Sequence, residues 1–300
     1  MLGMIDNFYS EASMRGIKLI PQKVTQTLSE EELIELVPNY DGWIIGDDPA
    51  TRAVFDAGRK GKLKAVVKWG VGVDNVDFKA CKDFNIPVTN TPGMFGAEVA
   101  DITLGYVIGL ARETYKIDRD IRSGIWSKPA GISLSNKTAA VIGFGDIGKQ
   151  TVSRLLALNM NIIIYDPYAK LSSTPANISL YEWPQSLEDA DFVIVNCALT
   201  ETSFHLLNEY TFSRMKTGVR IINVGRGPII DEKALIKFLK SGHVHSAALD
   251  VFEEEPLPMT SELLNHPQCI LGSHNSSNTL DAVQRTSSKA IKLLADSLNN

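Results

Sequence analysis

Short apolar runs alternate with amphipathic stretches along the second half of the chain, from about Lys137 onward. The runs are TAAVIGFG (138–145), NIIIYD (161–166), DFVIVNC (191–197), RIINVG (220–225), HSAALDVF (245–252) and CILGSH (269–274). Each is short and almost continuously apolar, which is typical of a strand buried on both faces. Helix-like segments lie between them, and one of these opens with Asp231 and ends at Gly242, residues that suit helix caps. The pattern predicts a parallel, doubly wound sheet with right-handed crossovers.

The first ninety residues repeat this alternation on a smaller scale. The candidate strands are IKLIPQ (17–22), GWIIG (42–46), LKAVVKWG (63–70) and IPVTN (86–90), and the helix-like stretches are SEEELIELVPN (29–39) and ATRAVFDAGRKG (50–61). We expect a second, smaller α/β unit whose sheet is also parallel. The chain opens close to a helix-like stretch, so an additional first strand is either lacking or absent from the recorded start.

The two units meet at a turn-rich segment, NTPGMFG (90–96), which leads into a long helical pattern over residues 97–124. That pattern is apolar on more than one side, so part of it is expected to pack against a partner subunit. A final helix, from about Leu280 to Leu298, is expected to return to the first unit. The predicted domains are therefore residues 1–92 with 278–300, and residues 93–277.

Composition excludes several classes of function. The chain has 300 residues, of which 44% are hydrophobic and 22% charged, as in ordinary globular proteins. A net charge of −5 argues against nucleic acid as a partner, and no apolar run reaches the length of a membrane helix. The start of the chain does not resemble a secretory signal. Three dispersed cysteines lack metal-ligand spacing and favour reduced thiols, so we expect a cytoplasmic protein that holds no metal.

A glycine-rich turn, GFGDIG, joins the first strand of the second unit to the helix that follows it. Gly143 permits the tight turn, Gly145 lets the backbone approach a pyrophosphate, and Gly148 lets helix and strand pack closely. The helix that begins at Asp146 and Ile147 then offers free N–H groups and a partial positive charge to the phosphates. Because the turn lies between a predicted strand and a predicted helix, it predicts a dinucleotide site.

Asp166 ends the next strand, 18 positions after Gly148. A carboxylate at this place can accept both ribose hydroxyls and would repel a 2′-phosphate. No arginine follows it directly, since the next residues are Pro167, Tyr168 and Ala169. We therefore predict NAD as the cofactor rather than NADP.

Three polar residues follow the last three predicted strands, at the sheet edge where open α/β folds bind ligands. They are Arg226, Glu255 and His274. The arginine fork can hold a carboxylate and polarise a neighbouring carbonyl, while the histidine can supply the proton that a reduced carbonyl oxygen needs. A carboxylate beside the histidine would favour its protonated form. Together the three predict hydride transfer between the nicotinamide and a 2-hydroxy or 2-keto acid.

The sequence resembles the D-isomer-specific 2-hydroxyacid dehydrogenases, in particular their phosphoglycerate dehydrogenase-like branch. The stretches that carry the resemblance are GVGVDNVD (70–77), GFGDIGK (143–149), NVGRGPIIDE (223–232), AALDVFEEEP (247–256) and LGSHNSSNT (271–279). The resemblance implies a Rossmann NAD-binding domain and a smaller flavodoxin-like domain that carries the substrate. It also implies a homodimer formed through the NAD-binding domain.

The same resemblance implies individual roles. Arg226 would bind substrate, His274 would be the acid/base and Glu255 its carboxylate partner. Asp250 would lie near the nicotinamide and its ribose, and Thr200 would line the cofactor cleft. The backbone N–H groups of Val71 and Gly72 would bind the substrate carboxylate.

The chain departs from the family pattern after the catalytic histidine, where Asn275, Ser276 and Ser277 replace the usual isoleucine and two glycines. We expect a more polar pocket wall there, which leaves the exact substrate open. Lys68, just before the substrate loop, has two open interpretations: it meets a phosphate on the substrate, or it is a solvated residue at a strand end.

Three functions remain as hypotheses. The first is a dehydrogenase of a small D-2-hydroxy acid, a class that includes acids like 3-phosphoglycerate. The second is a reductase of glyoxylate or hydroxypyruvate, which differs only in the side group of the substrate. The third is an NAD-sensing binding protein without catalysis, which would have no need of an acid such as His274.

Overall fold

The computed structural model describes residues 1–24, 27–170 and 176–299. The chain divides into two compact units. The first runs from Met1 to Phe95 and resumes at Asn278, and the second runs from Gly96 to Ser277.

The first unit contains a parallel sheet of three strands in the order β1-β2-β3, namely Gly42–Ile45, Ala65–Lys68 and Val88–Asn90. Its helices are α1 (Tyr9–Met14), α2 (Glu30–Leu36), α3 (Arg52–Lys60) and α4 (Phe78–Asp83), and the C-terminal helix Leu280–Leu298 packs on the same sheet. The strands predicted around GWIIG, LKAVVKWG and IPVTN are therefore confirmed. Ser29 begins α2 with the reciprocal hydrogen bonds of a capping box, which its spacing to Glu32 allows.

The strand predicted over IKLIPQ is wrong, since residues 17–22 form neither a strand nor a helix. Ile17 and Leu19 do pack against the cluster around Phe8 and Ile291. Their apolar character therefore reflects burial of side chains alone, and Pro21 could not have donated to a ladder. Within the described residues, no strand precedes Gly42, and the chain begins with the 3-10 helix Leu2–Phe8.

The second unit contains a seven-stranded sheet in which every neighbouring pair is parallel. The strands are β4 (Thr138–Ile142), β5 (Asn161–Tyr165), β6 (Ile178–Leu180), β7 (Phe192–Val195), β8 (Val219–Asn223), β9 (Val244–Leu249) and β10 (Cys269–Leu271). Their order is β10-β9-β8-β7-β4-β5-β6, so the topological switch lies between β4 and β7. The six predicted strands are confirmed. The analysis missed β6, an edge strand of three residues that is too short to show a period.

Seven consecutive parallel strands need cover on both faces, and the helices provide it. They are α5 (Gly96–Arg112), α6 (Thr114–Arg122), α7 (Asp146–Ala157), α8 (Glu209–Arg214) and α9 (Glu232–Lys240); the C-terminal helix of the first unit is α10. All residues of β7 and β8 are buried. No helix in the described part of the chain combines the length and the apolar character needed to cross a bilayer.

The long helix predicted from residue 97 is in fact two helices. The helix breaks at Glu113, whose φ of 52° is left-handed, and α6 begins at Thr114. The ring of Tyr115 lies 2.6 Å from where a Cβ on Gly109 would stand, so only glycine permits this close approach. A helical period continues through both segments, and therefore the apolar pattern alone could not reveal the break.

Candidate active site

The GFGDIG turn lies at the switch point, between the end of β4 and the start of α7. Gly143 has a φ of 92°, and a Cβ there would stand 2.7 Å from the backbone of Cys197. A Cβ on Gly148 would stand 2.1 Å from the Gly143 carbonyl oxygen. Gly145, by contrast, has nothing within 4 Å of its Cβ position. The turn is thus tight on its protein side and open on the side where a pyrophosphate would approach.

The N-terminus of α7 can hold that pyrophosphate. Gly145 is the N-cap of this 12-residue helix, and no side chain makes a capping hydrogen bond to its first turn. The N–H groups around Asp146 and Ile147 therefore retain the partial positive charge that favours an anion. The Asp146 carboxylate lies beside Gly96, since a Cβ on Gly96 would be 2.3 Å from it.

Asp166 follows β5 and its carboxylate is oriented by backbone donors. Oδ2 accepts the Phe144 N–H at 2.7 Å, and Oδ1 accepts the Tyr168 N–H at 2.8 Å. Each carboxylate oxygen can accept a second hydrogen bond, so both remain suited to ribose hydroxyls. The residues present fit NAD, which would rest on the glycine turn and be held by Asp166.

Thr200 lies in the loop after β7, the strand next to β4 on the other side of the switch point. Its side chain is exposed, and its hydroxyl lies 3.1 Å from that of Ser203. Its N–H donates to Ser203 Oγ at 2.8 Å, which fixes the loop as a small turn. Nearby, burial raises the pKa of the Cys197 thiol to about 11, so this thiol stays protonated near neutral pH.

His274 and Glu255 form a hydrogen-bonded pair at the carboxyl edge of the sheet. The distance from His274 Nδ1 to Glu255 Oε2 is 2.7 Å, and about a quarter of each side chain is exposed. Glu255 is itself oriented, because its Oε1 accepts the Phe252 N–H at 2.9 Å. With Nδ1 occupied in this way, Nε2 is the ring atom that can exchange a proton with a substrate. The structure thus brings together the two residues that the sequence predicts as a pair.

Asp250 is buried beneath the loop that carries His274. Its backbone carbonyl accepts the His274 N–H at 2.7 Å, and its carboxylate accepts the Asn275 N–H at 3.1 Å. Ser276 donates both its N–H and its hydroxyl to Oδ2. Ser276 therefore faces Asp250 and is 5% exposed, and the more polar pocket wall expected from residues 275–277 stays a prediction.

Arg226 follows β8, the strand adjacent to β9. Asn223 holds this turn, because its Nδ2 donates to the Arg226 carbonyl at 2.9 Å and its Oδ1 accepts the Gly225 N–H at 3.0 Å. The peptide after Phe252 presses against Gly227, whose Cβ position lies 1.8 Å from the Phe252 carbonyl oxygen. The Arg226 turn is therefore in contact with the loop that bears Glu255.

Val71 and Gly72 belong to the first unit and form a loop after β2. Asn90 donates to the Val71 carbonyl at 3.1 Å, and the Thr91 hydroxyl accepts the Gly70 N–H at 2.8 Å. Among the hydrogen bonds of the described residues, the N–H groups of Val71 and Gly72 donate to no protein acceptor. These two amides remain suited to binding an anion.

Several residues that orient the site were missed from sequence. They are Asn90, Thr91 and Asn223. Asn90 ends a predicted strand and Asn223 lies just before the Arg226 turn, and both positions could have marked these residues as part of the site. A second histidine–glutamate pair outside this set, His205 and Glu253, was also missed; its Nε2–Oε1 distance is 2.5 Å. The His205–Glu253 pair joins distant segments and offered no such signal.

Comparison with known proteins places the chain among dehydrogenases of one family. Residues 104–276 match the family model described as "D-isomer specific 2-hydroxyacid dehydrogenase, NAD binding domain". The chain is 38% identical over 275 residues to D-3-phosphoglycerate dehydrogenase 2, chloroplastic, of Arabidopsis thaliana; this match covers 90% of the chain but only 44% of that relative. It is 34% identical over 266 residues to hydroxypyruvate reductase of Thermotoga maritima, covering 87% of the chain and 86% of the relative.

A solved structure gives the same result for the fold. The NAD-dependent formate dehydrogenase of Staphylococcus aureus, in complex with NAD, superposes with a TM-score of 0.86 at 25% identity. That superposition covers 98% of this chain and 88% of the other. The chain therefore belongs to the family of D-isomer-specific 2-hydroxyacid dehydrogenases.

Proposed function

We propose that the protein is an NAD-dependent oxidoreductase that interconverts a small D-2-hydroxy acid and the corresponding 2-keto acid. The observation that carries this proposal is the His274–Glu255 pair, held at 2.7 Å on the nucleotide-binding unit. It stands at the sheet edge that also carries the Arg226 turn. An acid oriented in this way has no use in a protein that only senses NAD.

In this proposal each residue has one task. The bound cofactor supplies or accepts the hydride. His274 gives a proton from Nε2 to the carbonyl oxygen as it is reduced, and takes it back in the opposite direction. Glu255 fixes the ring orientation and stabilises the imidazolium. The Arg226 guanidinium holds the substrate and polarises the carbonyl, while the amides of Val71 and Gly72 bind the carboxylate.

The test is oxidation of NADH, followed by absorbance, against a panel of 2-keto acids. The panel contains glyoxylate, hydroxypyruvate, phosphohydroxypyruvate, pyruvate and 2-ketoisocaproate. Turnover of at least one acid is the expected result. Tight binding of NADH without turnover of any acid would instead support the sensing function.

The Asp166 carboxylate is proposed to select NAD over NADP. Asp166→Asn keeps an oxygen that can accept the Phe144 N–H but removes the charge that repels a 2′-phosphate. We expect the ratio of kcat/KM for NADH to that for NADPH to fall by about tenfold or more. Glu182→Gln, which removes an exposed charge after β6, serves as the matched control and should leave the ratio unchanged. Equal use of both cofactors by the unaltered protein would contradict the assignment.

We further propose a homodimer formed through the nucleotide-binding unit. Large apolar side chains are exposed along α5, α6 and the residues just after them, namely Ile102, Ile108, Tyr115, Ile121, Ile125 and Trp126. Trp126 is 78% exposed, and so much apolar surface in one region is typical of an interface.

Trp126→Ser should therefore weaken the dimer, as measured by sedimentation over a range of concentrations, because large aromatic residues often carry much of the binding energy of an interface. Met259→Ser is the control, since Met259 is 88% exposed elsewhere on the same unit. A monomeric wild-type protein at all concentrations would refute the proposal.

We also propose that the protein resides in a reducing compartment, the cytoplasm. The free thiols Cys81, Cys197 and Cys269 support this location.

A further inference from the structure

Lys68 ends β2, directly before the substrate loop, and its side chain is only 3% exposed. The expectation of a solvated lysine is therefore wrong. Its ammonium donates to the Gly46 carbonyl and lies 3.1 Å from Asp47 Oδ1. A buried ammonium needs such partners, because burial without them carries a large cost in desolvation. Lys68 and Asp47 thus form an ion pair across the carboxyl ends of β1 and β2.

This ion pair lies against the loop proposed to bind the substrate carboxylate. The Lys68 Nζ is 3.8 Å from where a Cβ on Gly70 would stand, and Val71 follows immediately. Asn75 ties the other end of the loop to the same segment, donating to the Gly46 carbonyl at 3.1 Å and to the Asp48 carbonyl at 2.7 Å. The two charges of the pair are therefore part of the loop's immediate surroundings.

The two members of the pair differ in exposure. Asp47 is 54% exposed, whereas Lys68 is buried, so the carboxylate is the charge presented to solvent. The neighbouring Asp48 is held differently, because its Oδ1 accepts the Leu28 N–H at 2.9 Å. An anionic group that approached this ion pair from solvent would meet the exposed Asp47 carboxylate, and like charges repel.

We propose that Asp47 is a specificity-determining residue that neutralises Lys68 and so restricts the site to 2-hydroxy acids without a second anionic group. The proposal rests on the proposed function, in that it concerns the substrate of the same site. It favours an unphosphorylated acid over its phosphate ester. Binding selectivity of this kind comes from an element that repels the wrong ligand, and here that element is a single carboxylate.

The experiment compares glycerate with 3-phosphoglycerate, which differ only in the phosphate. Both are titrated calorimetrically into the complex of the protein with NADH, where neither can be oxidised, so binding is measured without turnover. We expect glycerate to bind the wild-type complex at least roughly tenfold more tightly than 3-phosphoglycerate does. In Asp47→Asn the ratio of the two dissociation constants should fall by about tenfold. The effect should shrink at high ionic strength, because a half-exposed charge is screened.

Two variants separate charge from structure. Asp48→Asn makes the same change of charge one residue along, keeps an acceptor for the Leu28 N–H, and should alter the preference much less. Asp47→Asn combined with Lys68→Met should lose the gain in affinity for 3-phosphoglycerate, because the ammonium that attracts the phosphate is gone.

Three outcomes would overturn the proposal: wild-type protein that binds 3-phosphoglycerate at least as tightly as glycerate, an Asp47→Asn variant with an unchanged preference, or a complex that binds neither acid. If the binding preference is found but no keto acid of the panel is turned over, the proposed function fails while the role of Asp47 stands.

Discussion

His274→Ala is expected to lower kcat by roughly 10²–10⁴-fold, the usual contribution of a general acid. The structure gives the reason, because His274 Nδ1 is committed to Glu255 at 2.7 Å and only Nε2 can serve the substrate. Affinity for NADH should change little, since the glycine turn and Asp166 are untouched. Steady-state oxidation of NADH with the best keto acid gives kcat, and fluorescence titration gives the dissociation constant of NADH.

His205→Asn provides a matched control for this loss. His205 also pairs with a glutamate, Glu253, and its φ of 47° is one that asparagine tolerates. We expect this variant to retain kcat within a few-fold of wild type. If His274→Ala kept most of its turnover, or if the His205 variant lost as much, the proton would have to come from another group.

Arg226→Lys is expected to lower kcat/KM by about 10²-fold, and Arg226→Ala by more, because losing a charge-assisted pair costs several kcal/mol. Lysine keeps the positive charge but cannot hold two oxygens in one plane. Both KM and kcat should worsen, since the guanidinium binds the acid and also polarises its carbonyl. Initial rates over a range of keto-acid concentrations separate the two constants.

The control for Arg226 is Arg214→Lys on α8, where the guanidinium contacts Tyr210 at the surface. This conservative change should leave both constants unchanged. A rise in KM alone in Arg226→Lys, with kcat unchanged, would mean that the arginine binds the substrate equally in the ground state and the transition state. Full activity of Arg226→Lys would mean that Arg226 does not bind the substrate.

Most of the fold could be predicted because parallel strands buried on both faces have a distinct composition. The runs before Gly143 and before Arg226 are examples, and each became a strand of the second unit. The same criterion failed for IKLIPQ, where apolar side chains are buried without strand pairing. It also could not detect the break at Glu113, since a left-handed residue leaves no trace in the apolar pattern.

For the site, residue types at strand ends were enough to select His274 and Glu255, which the structure brings together. The direction of the Ser276 side chain was beyond prediction, because a serine after the histidine can face either the pocket or the interior. The partner of Lys68 was equally hidden, since Asp47 lies 21 residues earlier and only the parallel pairing of β1 and β2 brings them together. Nothing local distinguishes a paired lysine from a solvated one.

Asp250 links two parts of the site that mutagenesis usually tries to separate. Its backbone carbonyl holds the His274 N–H and its carboxylate holds the N–H groups of Asn275 and Ser276, and we propose that it also lies beside the nicotinamide. Any substitution at this position would disturb the anchoring of the acid and the cofactor surroundings at once. Loss of NADH affinity and loss of proton transfer in such a variant would have one common origin, because one residue would support both the cofactor and the position of the catalytic acid.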